Sequence, residues 1–224
     1  MKQFFIKKEN CSRLILFFAG WGSDENLFKR KVKDGYDYMI CFDYQDLEFD
    51  FTSIMEYEEI IVLGWSMGVW VANTVLTKQR AKDLKITKAV SFNGTIYPIN
   101  DNKGIPVDIF KGTMESFSEK VLTKFRRRIC GNTENTKEFL SHLPYRDIDS
   151  LKNELIALWR MLGQSNNISV LKWDTAVIGT SDKIFPYENQ IAAWNGIGVY
   201  IVSENNMEHY SPDFFEKFFM NPDK

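Results

Sequence analysis

The fold is decided by one stretch, "EEIIVLGWSMGVWVANTVL", Glu58 to Leu76. "EEIIVL" is a short apolar run of strand type. "VWVANTVL" reads as a helix with Val69, Ala72, Val75 and Leu76 on one face. Between them lies Gly64-Trp65-Ser66-Met67-Gly68. With 13 Gly in 224 residues, a G-x-S-x-G string arises by accident on the order of 0.05 times per chain of this composition. The surroundings therefore decide. Strand, sharp turn and helix are the context in which a serine is lifted out on a strained backbone, with a helix N-terminus aimed at whatever reacts with it. The competing reading is a structural Gly-Ser turn.

Working outward, short runs rich in Ile, Val and Phe recur at Arg13–Phe18, Tyr38–Phe42, Ile60–Leu63, Ala89–Phe92, Ala176–Ile178 and Val199–Val202. Such runs suit strands covered on both faces, and most are spaced widely enough for a crossover helix. The expectation is an α/β fold with a mostly parallel central sheet flanked by helices. Val69–Leu84 is expected as a helix, and Pro212–Phe219 as a short closing one with Pro212 in its first turn. From about Lys111 to Leu162 no strand signal is present. In "ESFSEKVLTKFRRRIC", Ser116 and Glu119 stand at capping-box spacing, and Phe117, Val121 and Phe125 recur at i, i+4. Leu151, Leu155, Leu158 and Leu162 share a second helical face. Residues 1–110 and 166–224 are thus expected to form the core, with residues 111–165 a helical cap insertion in the same compact unit.

A serine hydroxyl needs a base, and the base an orienting acid. The chain has two histidines. His209 follows the last strand, where a loop at the C-terminal edge of the sheet reaches Ser66; His142 lies in the helical block. Asp182 stands four residues past the strand end at Ile178. Asp174 precedes that strand, and Asp43 and Asp101 are weaker alternatives. The order Ser66, Asp182, His209 is that of the α/β-hydrolase triad. Two N–H donors must also face the developing oxyanion. Met67, after the serine, supplies one. The loop Ala19-Gly20-Trp21-Gly22 after the first expected strand supplies the other, from Trp21. Trp21, Trp65 and Met67 flank the nucleophile as candidate walls of an acyl slot.

The bulk properties limit the classes. Hydrophobic residues make up 44% and aromatic residues 15%, enough for a large core, and the formal charge of −2 suggests no nucleic-acid partner. Three cysteines, Cys11, Cys41 and Cys130, make no disulfide framework and no metal pair. The opening "MKQFFIKKENCSRLILFF" has too short an apolar run for a signal peptide, and nothing approaches a membrane span. A soluble, cytoplasmic monomer is expected.

"LILFFAGWGSDENLF", "DYMICFDYQDL", "IIVLGWSMGVWVA", "SFNGTIYPIN", "IGTSDKIFP" and "EHY" together resemble the BioG-type pimeloyl-acyl carrier protein methyl ester esterases, a branch of the α/β-hydrolases. The resemblance implies a step of biotin synthesis: hydrolysis of a methyl ester on a pimeloyl chain held by acyl carrier protein. It implies Ser66, Asp182 and His209 as the triad and Trp21 and Met67 as oxyanion donors, with no metal or organic cofactor. Ala19 stands where many superfamily members have His before the Gly. Val69 stands where Gly or Ala is commoner, which should push the helix outward. A carrier is acidic and helical, and Lys120, Lys124, Arg126, Arg127 and Arg128 offer it a basic stripe. A solvated basic helix face would use the same residues. A thioesterase or general short-chain carboxylesterase fits the same triad. A binding protein on a hydrolase fold is the reading from another class.

Overall fold

The computed structural model of the chain describes residues 1–163 and 169–224. Strands β1 (Lys2–Lys7), β2 (Arg13–Phe18), β3 (Tyr36–Phe42), β4 (Glu59–Trp65), β5 (Ile86–Phe92), β6 (Thr175–Gly179) and β7 (Tyr200–Glu204) form one sheet in the order β1-β3-β2-β4-β5-β6-β7. β1 runs antiparallel to β3, and the remaining pairs are parallel. Six strands lie where the apolar runs place them. β1 carries no such signal: lysines bound it at Lys2 and Lys7, its apolar run is only three residues long, and none of its residues is fully buried. A charged, half-wet strand is what a sheet edge tolerates.

Alternation along the strands divides the core. Leu14, Leu16 and Phe18 of β2 join one apolar cluster, and Ile15 and Phe17, with Ala19 beyond, join the other. Successive side chains point to opposite faces, so continuous apolar runs fill both. The helix α1 (Met67–Leu76) covers the first face, and α7 (Pro212–Met220) covers the second. In α7, Phe215 and Phe219 lie against Phe17 with ring centroids 5.8 Å apart in both pairs. This is where much of the aromatic content goes. Helix α1 ends at Leu76 instead of Leu84. The polar run Thr77 to Arg80 gives it nothing more to bury, and a short 3-10 turn, Gln79–Ala81, follows.

The middle of the chain is helical: α2 (Val107–Glu115), α3 (Glu119–Cys130), α4 (Thr133–Ser141) and α5 (Ile148–Gly163). Helix therefore begins at Val107, before Lys111, and the expected boundary between 165 and 166 lies outside the described residues. The expected Ser116–Glu119 box does not form. Ser118 caps α3 by accepting the Val121 N–H, while Ser116 donates its hydroxyl to the Gly112 carbonyl at the end of α2. The unforeseen α2 takes Ser116 as its last turn, and the buried Phe117 lies between the two helices. Leu151, Leu155 and Leu158 share the sheet's first apolar cluster. A buried ion network fixes α5: Arg146 donates to Glu154 at 2.5 Å and to Asp43 at 2.7 Å, and Glu154 accepts the Tyr44 N–H at 2.8 Å. The last helix before α7 is α6 (Tyr187–Trp194).

Candidate active site

The sheet order reverses about β2, which has β3 on one side and β4 on the other. Beyond the carboxyl ends of β2 and β4 no crossover covers the sheet, so a crevice opens there. Trp21 follows β2, and Ser66 follows β4. Ser66 has φ 59° and ψ −128°, and its hydroxyl caps no helix N–H, so Oγ is free for other partners. Left-handed φ strains a serine by roughly 1–3 kcal/mol, which the packed surroundings must hold in place. Gly68 permits the turn. A Cβ there would lie 2.0 Å from the Phe18 carbonyl oxygen and 2.5 Å from that of Ala19.

The structure brings Ser66, His209 and Asp182 together. Ser66 Oγ is 3.0 Å from His209 Nε2, and His209 Nδ1 is 2.8 Å from Asp182 Oδ2. The acid accepts three further bonds: from the Ile184 and Phe185 N–H groups on Oδ1 at 2.7 and 3.0 Å, and from Gln190 Nε2 on Oδ2 at 3.1 Å. With Oδ1 occupied by two backbone donors, Oδ2 is left for the imidazole, which must present Nδ1–H to it and the Nε2 lone pair to Ser66. Two aromatic rings neighbour the His209 ring: Phe185, parallel within 3° at 5.9 Å, and Trp65 at 5.4 Å. All three polar residues are buried. The weaker alternatives are engaged elsewhere. Asp43 holds Arg146, Asp101 accepts the Val107 N–H, Asp174 accepts the Ala89 N–H, and His142 is exposed beside Glu138.

Ser66 opens into a largely apolar cavity whose walls include Trp21, Met67, Phe110, Val121, Phe125 and Leu155. Met67 is the first residue of α1, so its N–H belongs to the helix turn that has no internal acceptor. Trp21 is anchored by its side chain. Nε1 donates to the Leu151 carbonyl at 3.1 Å, and the ring meets Phe125 edge-on at 4.9 Å. Three cations reach the same cavity: Lys124, Arg128 and Lys183. Arg128 Nε donates to the Lys183 carbonyl at 2.8 Å, joining α3 to the loop that carries Asp182.

Several expected binding residues lie elsewhere. Trp65 does not line this cavity. It points to the opposite face of the sheet and donates Nε1 to the His209 carbonyl at 2.9 Å. Arg126 turns toward Asp24 and Glu119, where burial first and foremost pushes its guanidinium below the usual value. Lys120 and Arg127 do not reach the cavity wall, which takes Val121, Lys124, Phe125 and Arg128 from α3. That i, i+3, i+4, i+7 stripe mixes apolar and basic residues on one face of the helix. Sequence reasoning did not single out Lys183 or Gln190: Lys183 had a signal in its place beside Asp182, while Gln190 is an ordinary helix amide in the sequence.

The sheet, the helices around it and the crevice position of Ser66 define an α/β-hydrolase fold. Solved structures agree. An esterase from Exiguobacterium antarcticum superposes with a TM-score of 0.66 at 17% identity, over 97% of this chain and 91% of that one. BioG from Haemophilus influenzae superposes with a TM-score of 0.86 at 36% identity, over 96% of this chain and 97% of that one. The family model described as pimeloyl-ACP methyl esterase BioG matches residues 1–220. The chain belongs to the BioG family. A malonyl-[acyl-carrier protein] O-methyltransferase of Bacteroides fragilis is 44% identical over 180 residues, 80% of this chain, and the match spans only 36% of that relative's length.

Proposed function

We propose that this protein is a serine carboxylesterase that hydrolyses the methyl ester of a pimeloyl chain carried on acyl carrier protein, a step of biotin synthesis. The observation that carries the chemistry is the continuous contact from Ser66 Oγ through His209 to Asp182 at the floor of an apolar cavity. The substrate comes from membership of the family. His209 takes the Ser66 proton as Oγ attacks the ester carbonyl. The N–H groups of Trp21 and Met67 receive the oxyanion, each worth about 3 kcal/mol in such sites. His209 then gives its proton to departing methanol and activates water to open the acyl-enzyme. Asp182 holds the imidazole tautomer and offsets its transient charge. Nothing in this sequence of steps calls for a metal or organic cofactor.

The apolar cavity suits the methylene chain. Lys124, Arg128 and Lys183 would face the anionic arm and acidic surface of the carrier at the mouth. The helices from Val107 to Gly163 would then act as a cap that both shapes the slot and receives the carrier. Among the described residues no helix is long and apolar enough to cross a membrane, which suits a soluble partner.

The test is methyl-pimeloyl carrier protein as substrate, with intact-mass readout. Wild type is expected to remove one methylene mass and Ser66→Ala none. Loss of the whole acyl chain would make the protein a thioesterase. No cleavage of short p-nitrophenyl esters and no fluorophosphonate label on Ser66 would leave a binding protein. Replacing Lys124 and Lys183 by Gln, which leaves the Arg128 bond to the Asp182 loop in place, is expected to raise KM for the carrier substrate about tenfold or more, with small-ester cleavage kept.

A further inference from the structure

The motif "SFNG", Ser91 to Gly94, takes no part in the proposed chemistry, yet its asparagine touches two of the loops that do. Asn93 follows β5, is completely buried and holds a left-handed backbone with φ 44°. Its Nδ2 donates to the carbonyls of Glu208 at 2.8 Å and His209 at 3.1 Å. Its Oδ1 accepts the Gly179 N–H at 2.7 Å. The partners determine the amide's orientation, since two carbonyl oxygens need a donor and an N–H needs an acceptor. One planar group thus spans the end of the strand that leads to Asp182 and the loop that presents His209.

The nucleophile is tied to the same place. The Ser66 N–H donates to the Phe92 carbonyl at 3.1 Å. A Cβ on Gly94 would lie 2.4 Å from the Ser66 carbonyl oxygen and 2.9 Å from its nitrogen, so bare backbone presses on the turn that holds Ser66. Trp194 Nε1 donates to the Gly94 carbonyl at 3.1 Å and keeps that backbone in place.

We infer that Asn93 is a positioning residue for the acid and base, its amide setting the separation and angle of the Asp182 and His209 loops while Gly94 seats Ser66 against them. The inference rests on the serine-esterase reading above. It has a sharp rival: Asn93 is there only because asparagine tolerates left-handed φ. Glycine tolerates that backbone better still, so Asn93→Gly separates the two. If only the backbone matters, glycine restores full activity. If the amide positions the dyad, glycine does not.

The measurement is steady-state hydrolysis of a short p-nitrophenyl ester by folded variants, checked by near-ultraviolet circular dichroism and cooperative melting. For Asn93→Gly we expect kcat to fall on the order of 10²-fold, the scale of a roughly 1 Å misplacement in an active site. KM should stay within about threefold, because the residue lies outside the substrate cavity. Asn93→Asp keeps the size and the φ tolerance but turns oxygen toward two carbonyls; it should show the same loss, and it carries the test if the glycine variant does not fold. A kcat within about twofold of wild type in either folded variant, or a rise in KM at unchanged kcat, overturns the inference. Failure of the underlying reading looks different: wild type itself would show no fluorophosphonate label on Ser66.

Discussion

Val69 shows how single residues set the elbow. Its Cγ2 lies 3.2 Å from where a Cβ on Gly64 would be and 2.8 Å from one on Gly94. A branched side chain can follow the elbow here because two glycines leave room for it. Gly68 has no such slack. Gly68→Ala would drive a methyl group into the Phe18 carbonyl at the end of β2 and the Ala19 carbonyl just beyond it, which are packed backbone and cannot rotate away. Forced overpacking of this kind costs about 1–3 kcal/mol or more, and urea unfolding of the variant should show at least that loss. The need for a small residue was legible in the G-x-S-x-G spacing. The residue it must clear was not, because Phe18 belongs to another strand.

At the scale of elements, the attachment of α5 decides whether the cavity exists. The helix contributes Leu155 to the cavity wall and the Leu151 carbonyl to Trp21. Its hold on the sheet is the Asp43–Arg146–Glu154 network. Burial raises the Glu154 carboxyl, against the pull of Arg146 and the Tyr44 N–H. Removing Arg146 would strand that carboxylate. Arg146→Met is expected to cost about 3–5 kcal/mol, and the double variant with Glu154→Leu to recover part of it, since no stranded carboxylate is left at position 154 while Asp43 keeps Lys2 and Gln45. Thermal unfolding of the three proteins measures both. The leucine stripe of α5 was readable from its spacing. The network was not, because its members lie 8 and 103 residues from Arg146 in the chain.

Across the whole molecule, stability should depend on pH through carboxylates that hold distant segments together. Burial pushes Asp37 up, but the Glu9 N–H, the Tyr57 hydroxyl and Cys11 outweigh it and hold it below its ordinary value. At Asp43 burial acts the same way, and the Gln45 amide, Arg146 and Lys2 bring it down. A carboxyl whose value is lower in the folded state adds stability above its unfolded value, about 3.9 for Asp. That stability is lost as pH falls through the lower folded value. Urea midpoints should therefore be insensitive to these two groups from about pH 5 to 7 and should drop below about pH 4. In Asp37→Asn the midpoint at neutral pH should be lower and the drop on acidification smaller.

The sequence by itself determined that six apolar runs would be strands of a parallel sheet and that Ser66 would stand on an elbow. It also determined that Asp182 and His209 would follow the strands able to present them. Each of these is local: hydrophobic period and turn chemistry operate over a few residues and are written in adjacent letters. Only the tertiary structure decided the rest. It put the charged Lys2–Lys7 strand on an edge, turned Trp65 beneath His209 instead of into the slot, selected Lys124 and Arg128 from the basic run, and brought up Lys183, Gln190 and Asn93. These outcomes depend on hydrogen bonds and contacts between segments far apart in the chain. Such contacts form only when the sheet order and helix packing bring the segments together, and no short-range pattern encodes them.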